Sequence, residues 1–317
     1  MPDAASPAPP RPDAALAFPL ALCALVLGAT AMGISPVFVR EAGVGPFASA
    51  FWRVALALPL LLAWAVLEGR GRSGTWRDAF GIDRSVLLAG LAFAGDLFFW
   101  HLAILNTTIA NATFLSCLAP VWVVLLSGWL IGEPVGREAF VGLLLCLAGA
   151  ALLIGLNLAA SPERLLGDLY GVATSLFFGL YFLAVRFARR RHGAGALTFK
   201  ATLVTAAVLL AVTLVAGGAL WPDAPEEVAA LFALGLVSHS GGQGLLAVAL
   251  GSLSAAFSSL VIFMEAVAAA LFGWLFADEP VSVPQLGGGA LILCGIWVAR
   301  PRRTSPAHPR DGAPMSE

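Results

Sequence analysis

The stretch Gly128-Trp129-Leu130-Ile131-Gly132-Glu133-Pro134-Val135 closes one apolar run and opens the next, and it returns later as Gly273-Trp274-Leu275-Phe276-Ala277-Asp278-Glu279-Pro280-Val281. A Glu-Pro pair between two apolar runs marks a helix boundary: proline suits the first turn of a new helix, and a carboxylate suits its positive end. Both pairs therefore read as punctuation rather than chemistry. The recurrence is wider than the motif. A shift of 146 positions lays Gly33-Ile34-Ser35-Pro36-Val37-Phe38-Val39-Arg40 on Gly179-Leu180-Tyr181-Phe182-Leu183-Ala184-Val185-Arg186, and lays Gly142 and Gly149 on Gly288 and Gly295. With a one-residue slip, Trp52-Arg53 meets Phe199-Lys200. The chain is two copies of one unit, and that fact governs every later step.

Each unit is apolar enough to live in a bilayer. Hydrophobic residues are 59% of the chain and charged residues 12%, where a soluble domain has roughly 45–50% and 25%. Ten apolar runs follow one another at approximately 17–39, 47–67, 85–105, 111–131, 137–156, 168–188, 198–220, 229–250, 254–277 and 284–299. Most approach the roughly 20 residues that a spanning helix needs. The expected class is an all-α integral membrane protein with ten transmembrane helices. Its first five-helix repeat is expected over 16–157 and its second over 165–299, between disordered tails at 1–15 and 300–317. The first run resembles a signal peptide, with Arg11 before it and Ala29-Thr30-Ala31 near its end. It is too long for one, and its Gly33 to Arg40 end recurs inside the sixth run, so it is kept as a helix.

Counting Lys and Arg by side orients the bundle. With the N-terminus inside, the cytoplasmic loops and tails hold fifteen, among them Arg70, Arg72, Arg77, Arg84 and the cluster Arg186 to Lys200, against Arg40 and Arg164 outside and Arg53 within a helix. The positive-inside rule then puts both termini in the cytoplasm of a multi-pass plasma membrane protein, read as the bacterial inner membrane. Five spans is an odd number, so the second unit sits inverted relative to the first. Inverted repeats are the usual basis of alternating access, in which two similar halves expose a midplane site to one side and then the other.

Two carboxylates fall near the centres of their runs, Asp96 in the third and Glu265 in the ninth. A charge there costs about 2.5–3.5 kcal/mol on insertion scales, so such groups face the bundle interior and are functional by default. Trp100 lies at i+4 from Asp96 and shares its face, whereas His101 points away. His239 and Gln243 are likewise i, i+4 in the eighth run, and Ser258, Ile262 and Glu265 form a stripe in the ninth. Of the two tyrosines, Tyr181 sits at depth and suits a binding wall, while Tyr170 reads as an interfacial anchor. Supporting roles fall to Asn111, to Pro120, which should open a kink and free backbone carbonyls, and to Arg53, which either snorkels outward or pairs with a carboxylate. The glycines Gly142, Gly149, Gly287, Gly288 and Gly289 permit close helix packing, within the chain or in a homodimer.

Other classes lack support in the residues. The net charge of −1 gives no reason to expect nucleic acid. The four cysteines, Cys23, Cys117, Cys146 and Cys294, lie in apolar runs without C-x-x-C spacing and read as small buried hydrophobes rather than disulfides or metal ligands. No H-E-x-x-H, G-x-S-x-G or G-x-x-x-x-G-K-[ST] occurs, so no catalytic residues, metal or cofactor are assigned.

The chain resembles the EamA family of the drug/metabolite transporter superfamily. The resemblance rests on Leu118-Ala119-Pro120 before Gly128 to Glu133, on Met264-Glu265-Ala266-Val267 before Gly273 to Glu279, and on Phe51-Trp52-Arg53, and it spans roughly 20–299. It implies a ten-helix bundle of two inverted units around a central cavity, with cytoplasmic termini, moving small metabolites such as amino acids. Two places depart from the family pattern. Met32-Gly33 stands where Trp-Gly is common, and Glu265-Ala266 where Glu-Pro is common, so without that proline a kink in the ninth helix is not expected.

The expected function is therefore a secondary transporter of a small polar, amino-acid-like solute. It would be an exporter working by alternating access, with protons as a coupling ion and the lipid bilayer as its environment. Asp96 and Glu265 would supply the ionisable groups, Trp100 and Tyr181 the walls, and His239 with Gln243 the hydrogen bonds. Two alternatives stand beside it: a membrane-embedded enzyme on a lipid-linked substrate, using His239 and a carboxylate, and a non-transporting scaffold.

Overall fold

The structure is a computed structural model that describes residues 16–70, 81–107, 109–154, 164–277 and 281–301. Both expected tails, apart from Arg300 and Pro301, and the second Glu-Pro pair lie outside the described residues. Among the described residues every regular element is helical. Among the described residues nine helices are long and apolar enough to cross a membrane: Phe18–Val39, Pro46–Gly69, Arg84–Asn106, Ala112–Ile131, Arg137–Ile154, Leu165–Ala188, Ala194–Ala216, Pro225–Leu250 and Ala255–Phe272. A shorter apolar helix, Val283–Ala299, completes the ten spans. Leucines and tryptophans such as Trp129, Leu144, Leu214 and Trp297 remain exposed on the outside of the bundle, as expected where the surrounding medium is lipid.

Contacts between span ends sort the bundle into two faces. On one face, Leu16 N–H donates to Ser252 Oγ at 2.8 Å, and the Glu68 carboxylate accepts from Gly195 and Ala196 N–H at 3.3 and 3.0 Å. His192 meets Asp83 there at 2.7 Å, and Glu133 accepts from Ala255 N–H at 2.9 Å. This face therefore gathers the start of the first, third, seventh and ninth spans and the end of the second, fourth, sixth and eighth. It also carries Arg186, Arg189 and Arg190, and is called the arginine-rich face below. On the opposite face Thr107 donates to Asp168 at 2.7 Å, Thr213 to Phe47 O at 3.0 Å, and the Trp52 indole to Leu220 O. Alternation through five spans per unit leaves the second unit inverted.

The fifth and tenth spans show how tightly the units interlock. A Cβ on Gly149 would lie 2.6 Å from Gly288 O, and one on Gly288 2.5 Å from Gly149 O; Gly142 and Gly295 are related in the same way. The glycine faces are thus occupied within the chain, except at Gly287, which has nothing within 4 Å. Cys146 is buried in this seam, whereas Cys23 and Cys294 are exposed and Cys117 is half-buried. All four are free, but the expectation that all are buried holds only for Cys146.

Among the described residues the second span breaks between Pro46–Ala55 and Leu58–Arg70, and three further spans change near mid-depth where they bear on the site. The fourth breaks between the helices Ile109–Ser116 and Ala119–Ile131, with Pro120 in the first turn of the second piece, as its missing N–H dictates. The ninth breaks between Ala255–Val261 and Met264–Ala277 without a proline, which corrects the expectation for that helix. Its turn tightens instead: the N–H groups of Ile262, Phe263, Glu265 and Ala266 bond to carbonyls three residues back. Its break falls where the repeat places it, since Cys117 and Phe263 are 146 positions apart. In the eighth span Leu234–Gln243 is π-helical, a wider winding than its counterpart in the third span, which is regular throughout Arg84–Asn106.

Candidate functional site

The breaks in the fourth and ninth spans open onto a cavity between the repeats. It encloses about 940 Å³ of space, part of it open to solvent. The third span supplies one wall through Phe93, Asp96, Leu97 and Trp100, the i, i+3, i+4, i+7 stripe of one helix face. The fourth supplies Ser116, Cys117 and Pro120; the sixth, Thr174 and Phe178; the eighth, Gln243; and the ninth, Ile262, Phe263 and Glu265. Arg53 reaches in from the second span, and Met32, Ser35 and Pro36 from the end of the first.

Arg53 does not snorkel. It is 8% exposed and lies among the acids, and the charges of both Glu265 and Asp96 act on its guanidinium. Its Nη2 donates to Ser238 Oγ at 3.4 Å. Ser238 is hydrogen-bonded to Ser35 Oγ, which in turn donates to Met32 O at 2.6 Å. The first, second and eighth spans are thereby tied together beside the cavity. Neither serine stands out in the sequence, because their pairing is 203 residues apart.

Asp96, Trp100, Gln243, Glu265, Arg53 and Pro120 all line the one cavity. Asp96 and Gln243 are buried, and Gln243 Nε2 donates to Met32 Sδ at 3.0 Å while its Oε1 has no partner. Glu265 lies in the first turn of the half-helix Met264–Ala277, where the dipole favours a carboxylate. Tyr181 and His239 are not on the wall. Both pack against the ring of Phe93, which is, with centroids 4.7 and 5.4 Å away. His239 Nε2 is bonded instead to Thr202 Oγ1 at 2.9 Å. Gln243 lines the cavity and His239 does not, so the two do not act together on a solute there. His239 therefore stands outside the group of carboxylates that an acid–base reading would require. Asn111 lies on the helix Ile109–Ser116, with its side chain outside the described ones. Thr174, 1% exposed, lines the cavity with an unpartnered Oγ1 and was not among the expected site residues. His101 turns away from the cavity, its Nδ1 bonded to Leu97 O at 2.6 Å.

Nearer the arginine-rich face, four of the contributing spans carry a buried apolar side chain: Val123 after Pro120, Phe182 after Phe178, Leu246 after Gln243, and Leu260 before Ile262. Beyond that floor Glu133 is the hub of a polar cluster. Gly132 ends the fourth span in the left-handed conformation, φ 70°, so that Glu133 N–H returns to Ser127 O at 3.2 Å and its side chain turns across the bundle. Its Oε1 meets Arg186 Nε at 2.6 Å and Arg190 Nη2 at 3.8 Å, and its Oε2 accepts from Ala255 N–H. Arg186 also donates to Leu250 O at 2.7 Å, and Arg189 to Ala247 O at 2.8 Å. The carboxylate assigned to punctuation joins the fourth, sixth, eighth and ninth spans.

Comparison with known proteins agrees with this geometry. The model of the EamA-like transporter family matches twice, over residues 19–155 and 165–300. A protein of Archaeoglobus fulgidus named an uncharacterized transporter is 29% identical over 283 residues, covering 87% of this chain and 94% of its own. The pseudopaline exporter CntI of Pseudomonas aeruginosa is 27% identical over 208 residues, 66% of this chain and 72% of its own. A solved crystal structure shares the fold with a TM-score of 0.77 at 21% identity, covering 88% of this chain and 96% of that one. Two matched repeats of five spans, closed around a shared cavity, make this chain a multi-pass membrane transporter belonging to the EamA-like transporter family.

Proposed function

We propose that the protein is a secondary exporter of a small polar, amino-acid-like metabolite, working by alternating access between its repeats, 16–157 and 165–299. The observation that carries this reading is the convergence of Asp96, Glu265 and Arg53 on one cavity between them. A scaffold has no use for three ionisable groups there, since each costs insertion energy unless it serves a solute or ion. Asp96 and Glu265 take up and release protons, and Trp100 and Phe93 form the apolar wall. Tyr181 and His239 support that wall from behind. The Glu133 cluster and the apolar floor close the arginine-rich face, so the conformation described is open toward the other side.

The positive-inside count makes the arginine-rich face cytoplasmic, with both tails there, in a bacterial inner membrane. The conformation is then outward-facing. Export direction is supported by a relative named an exporter of pseudopaline. The protein acts without chemical conversion of its solute.

Uptake of labelled amino acids and related metabolites into proteoliposomes, with and without an imposed pH gradient, tests the reading. The parent should show gradient-dependent uptake of at least one solute, recovered unchanged, and Asp96→Asn should lose it at least tenfold. Uptake indifferent to both the gradient and the substitution would return Asp96 to a packing role. Recovery of an altered solute would favour an enzyme.

A further inference from the structure

We propose that Arg53 sets the charge selectivity of the cavity, holding the carboxylate of a solute that also carries an ammonium and weakening the binding of the same solute without its carboxylate. The inference rests on the transporter reading above and goes further, because it names one residue as the filter and states what the filter reads.

The argument is a count of charges. Among the described lining residues Arg53 is the single cation and Asp96 and Glu265 are the two acids. All three sit in one apolar surround built from Met32, Phe93, Trp100, Phe178, Ile262 and Phe263. With both acids ionised the walls sum to −1, so a solute ammonium is favoured there; what Arg53 decides is which group accompanies it. A solute ammonium beside the acids, with its carboxylate at the guanidinium, leaves no like charges facing each other. A plain amine of the same size gains the acids but is repelled by Arg53 and leaves the guanidinium donor unmet, so it binds more weakly than the amino acid.

The guanidinium is also prepared for a partner. It is held by one long bond to Ser238, within the Ser35–Ser238 bridge that fixes its position, and its Nε–H has no partner although the residue is 8% exposed. A buried, unpaired guanidinium donor beside a cavity is the feature a carboxylate would satisfy, with a charge-assisted bond. Gln243 Oε1 and Thr174 Oγ1, both buried, unpartnered and lining the same space, can accept from and donate to the rest of a polar solute.

The test measures binding to the detergent-purified full chain, so that it stands whether or not a transport assay succeeds. The probes are matched compounds: L-phenylalanine and phenethylamine, L-leucine and isopentylamine. Intrinsic tryptophan fluorescence and the shift in melting temperature report binding. Arg53→Gln should bind both amines at least tenfold more tightly than the parent and both amino acids at least tenfold more weakly. Amine affinity unchanged in a folded Arg53→Gln protein overturns the proposal. Where that variant does not survive purification, Asp96→Asn carries the test. With one acid left against Arg53, it should bind 3-phenylpropanoate, which lacks the ammonium, at least tenfold more tightly than the parent; unchanged affinity overturns the charge count. A parent that moves none of the solutes in vesicles, while Arg53→Gln still gains the amines in solution, would defeat the transport reading and leave the filter standing.

Discussion

Glu133 and Arg186, 53 residues apart in the chain, meet at 2.6 Å on the arginine-rich face, their side chains 16% and 20% exposed. Around this ion pair the start of the ninth span is held by Ala255 N–H and the end of the eighth by Leu250 O. A hydrogen bond to a charged group contributes about 1.5–3 kcal/mol, and this carboxylate makes several. Glu133→Gln keeps the shape and removes the charge, so the face should open more often. A loss of about 2 kcal/mol raises local opening roughly 30-fold. Hydrogen exchange followed by mass spectrometry should show faster exchange in segments 131–136, 186–192 and 250–258. Exchange in segment 46–55, at the opposite face, should stay as in the parent. Equal acceleration at both faces would mean general destabilisation rather than release of this one.

The seam between the fifth and tenth spans makes a sharper prediction about stability. Gly288→Ala puts a methyl group 2.5 Å from the Gly149 carbonyl oxygen, and Gly149→Ala does the reverse at 2.6 Å. Neither backbone can give way without separating the helices, and overpacking of this kind costs typically 1–3 kcal/mol. Gly287→Ala, one position away with open space around it, gains helix propensity and meets nothing. Melting curves in detergent should therefore fall for the first two and hold or rise for the third. If all three behave alike, the seam is not what keeps the repeats together.

Much of this arrangement was legible in the residues, and the exceptions share a cause. Spans, repeat and inversion follow from hydropathy and a fixed period, both local or strictly periodic signals. The same holds for the Asp96 and Trp100 stripe, which needs only helix geometry, and for the break at Pro120, which needs only a missing N–H. The break in the ninth span carries no such residue. It is legible only as the counterpart of the fourth, through the period that joins Cys117 to Phe263. The π-helical winding of Leu234–Gln243 is a backbone bonding pattern with no side-chain signature, and the different partners of His239 and Gln243, Thr202 and Met32, lie 37 and 211 residues away where no local rule reaches. Glu133 was placed at a helix boundary correctly; its role as a hub depended on Arg186 and Ala255, which no local rule connects to it. For Arg53 the sequence specifies depth but not direction, so snorkelling and pairing are equally compatible with it.

Phe93 divides the aromatic cluster into a wall and its backing, and substitutions should divide the same way. Phe93→Ala removes the lining ring and the surface on which Tyr181 and His239 rest. Solute binding should fall at least tenfold. Tyr181→Phe keeps the ring stack with Phe93 and Phe178, and affinity should stay within about twofold of the parent, since the lost oxygen is not on the cavity wall. A large loss for Tyr181→Phe, measured by the same fluorescence titration, would bring its hydroxyl to the solute.

Asp83 offers a pH-dependent test outside the membrane. It caps the third span, accepting from Ser85 N–H at 2.9 Å and Val86 N–H at 3.0 Å, and contacts His192 at 2.7 Å. Partial burial pushes its pKa up, but the hydrogen bonds from Ser85 and Val86 and the contact with His192 outweigh that and hold the carboxyl well below the usual range. A group whose folded pKa is depressed contributes stability above its unfolded value, near 3.9 for aspartate, and loses it as pH falls through the folded value. Asp83→Ala removes both cap and charge, and cap losses of this kind cost about 1 kcal/mol. Its melting temperature should lie below that of the parent at pH 7. The gap should persist down to about pH 4 and then narrow as the parent's own carboxyl takes up its proton. Asp83→Asn, which still accepts from both N–H groups, should fall between the two at neutral pH. A gap between Asp83→Ala and the parent that stays constant from pH 7 to pH 2 would show that the charge contributes nothing beyond the geometry of the cap.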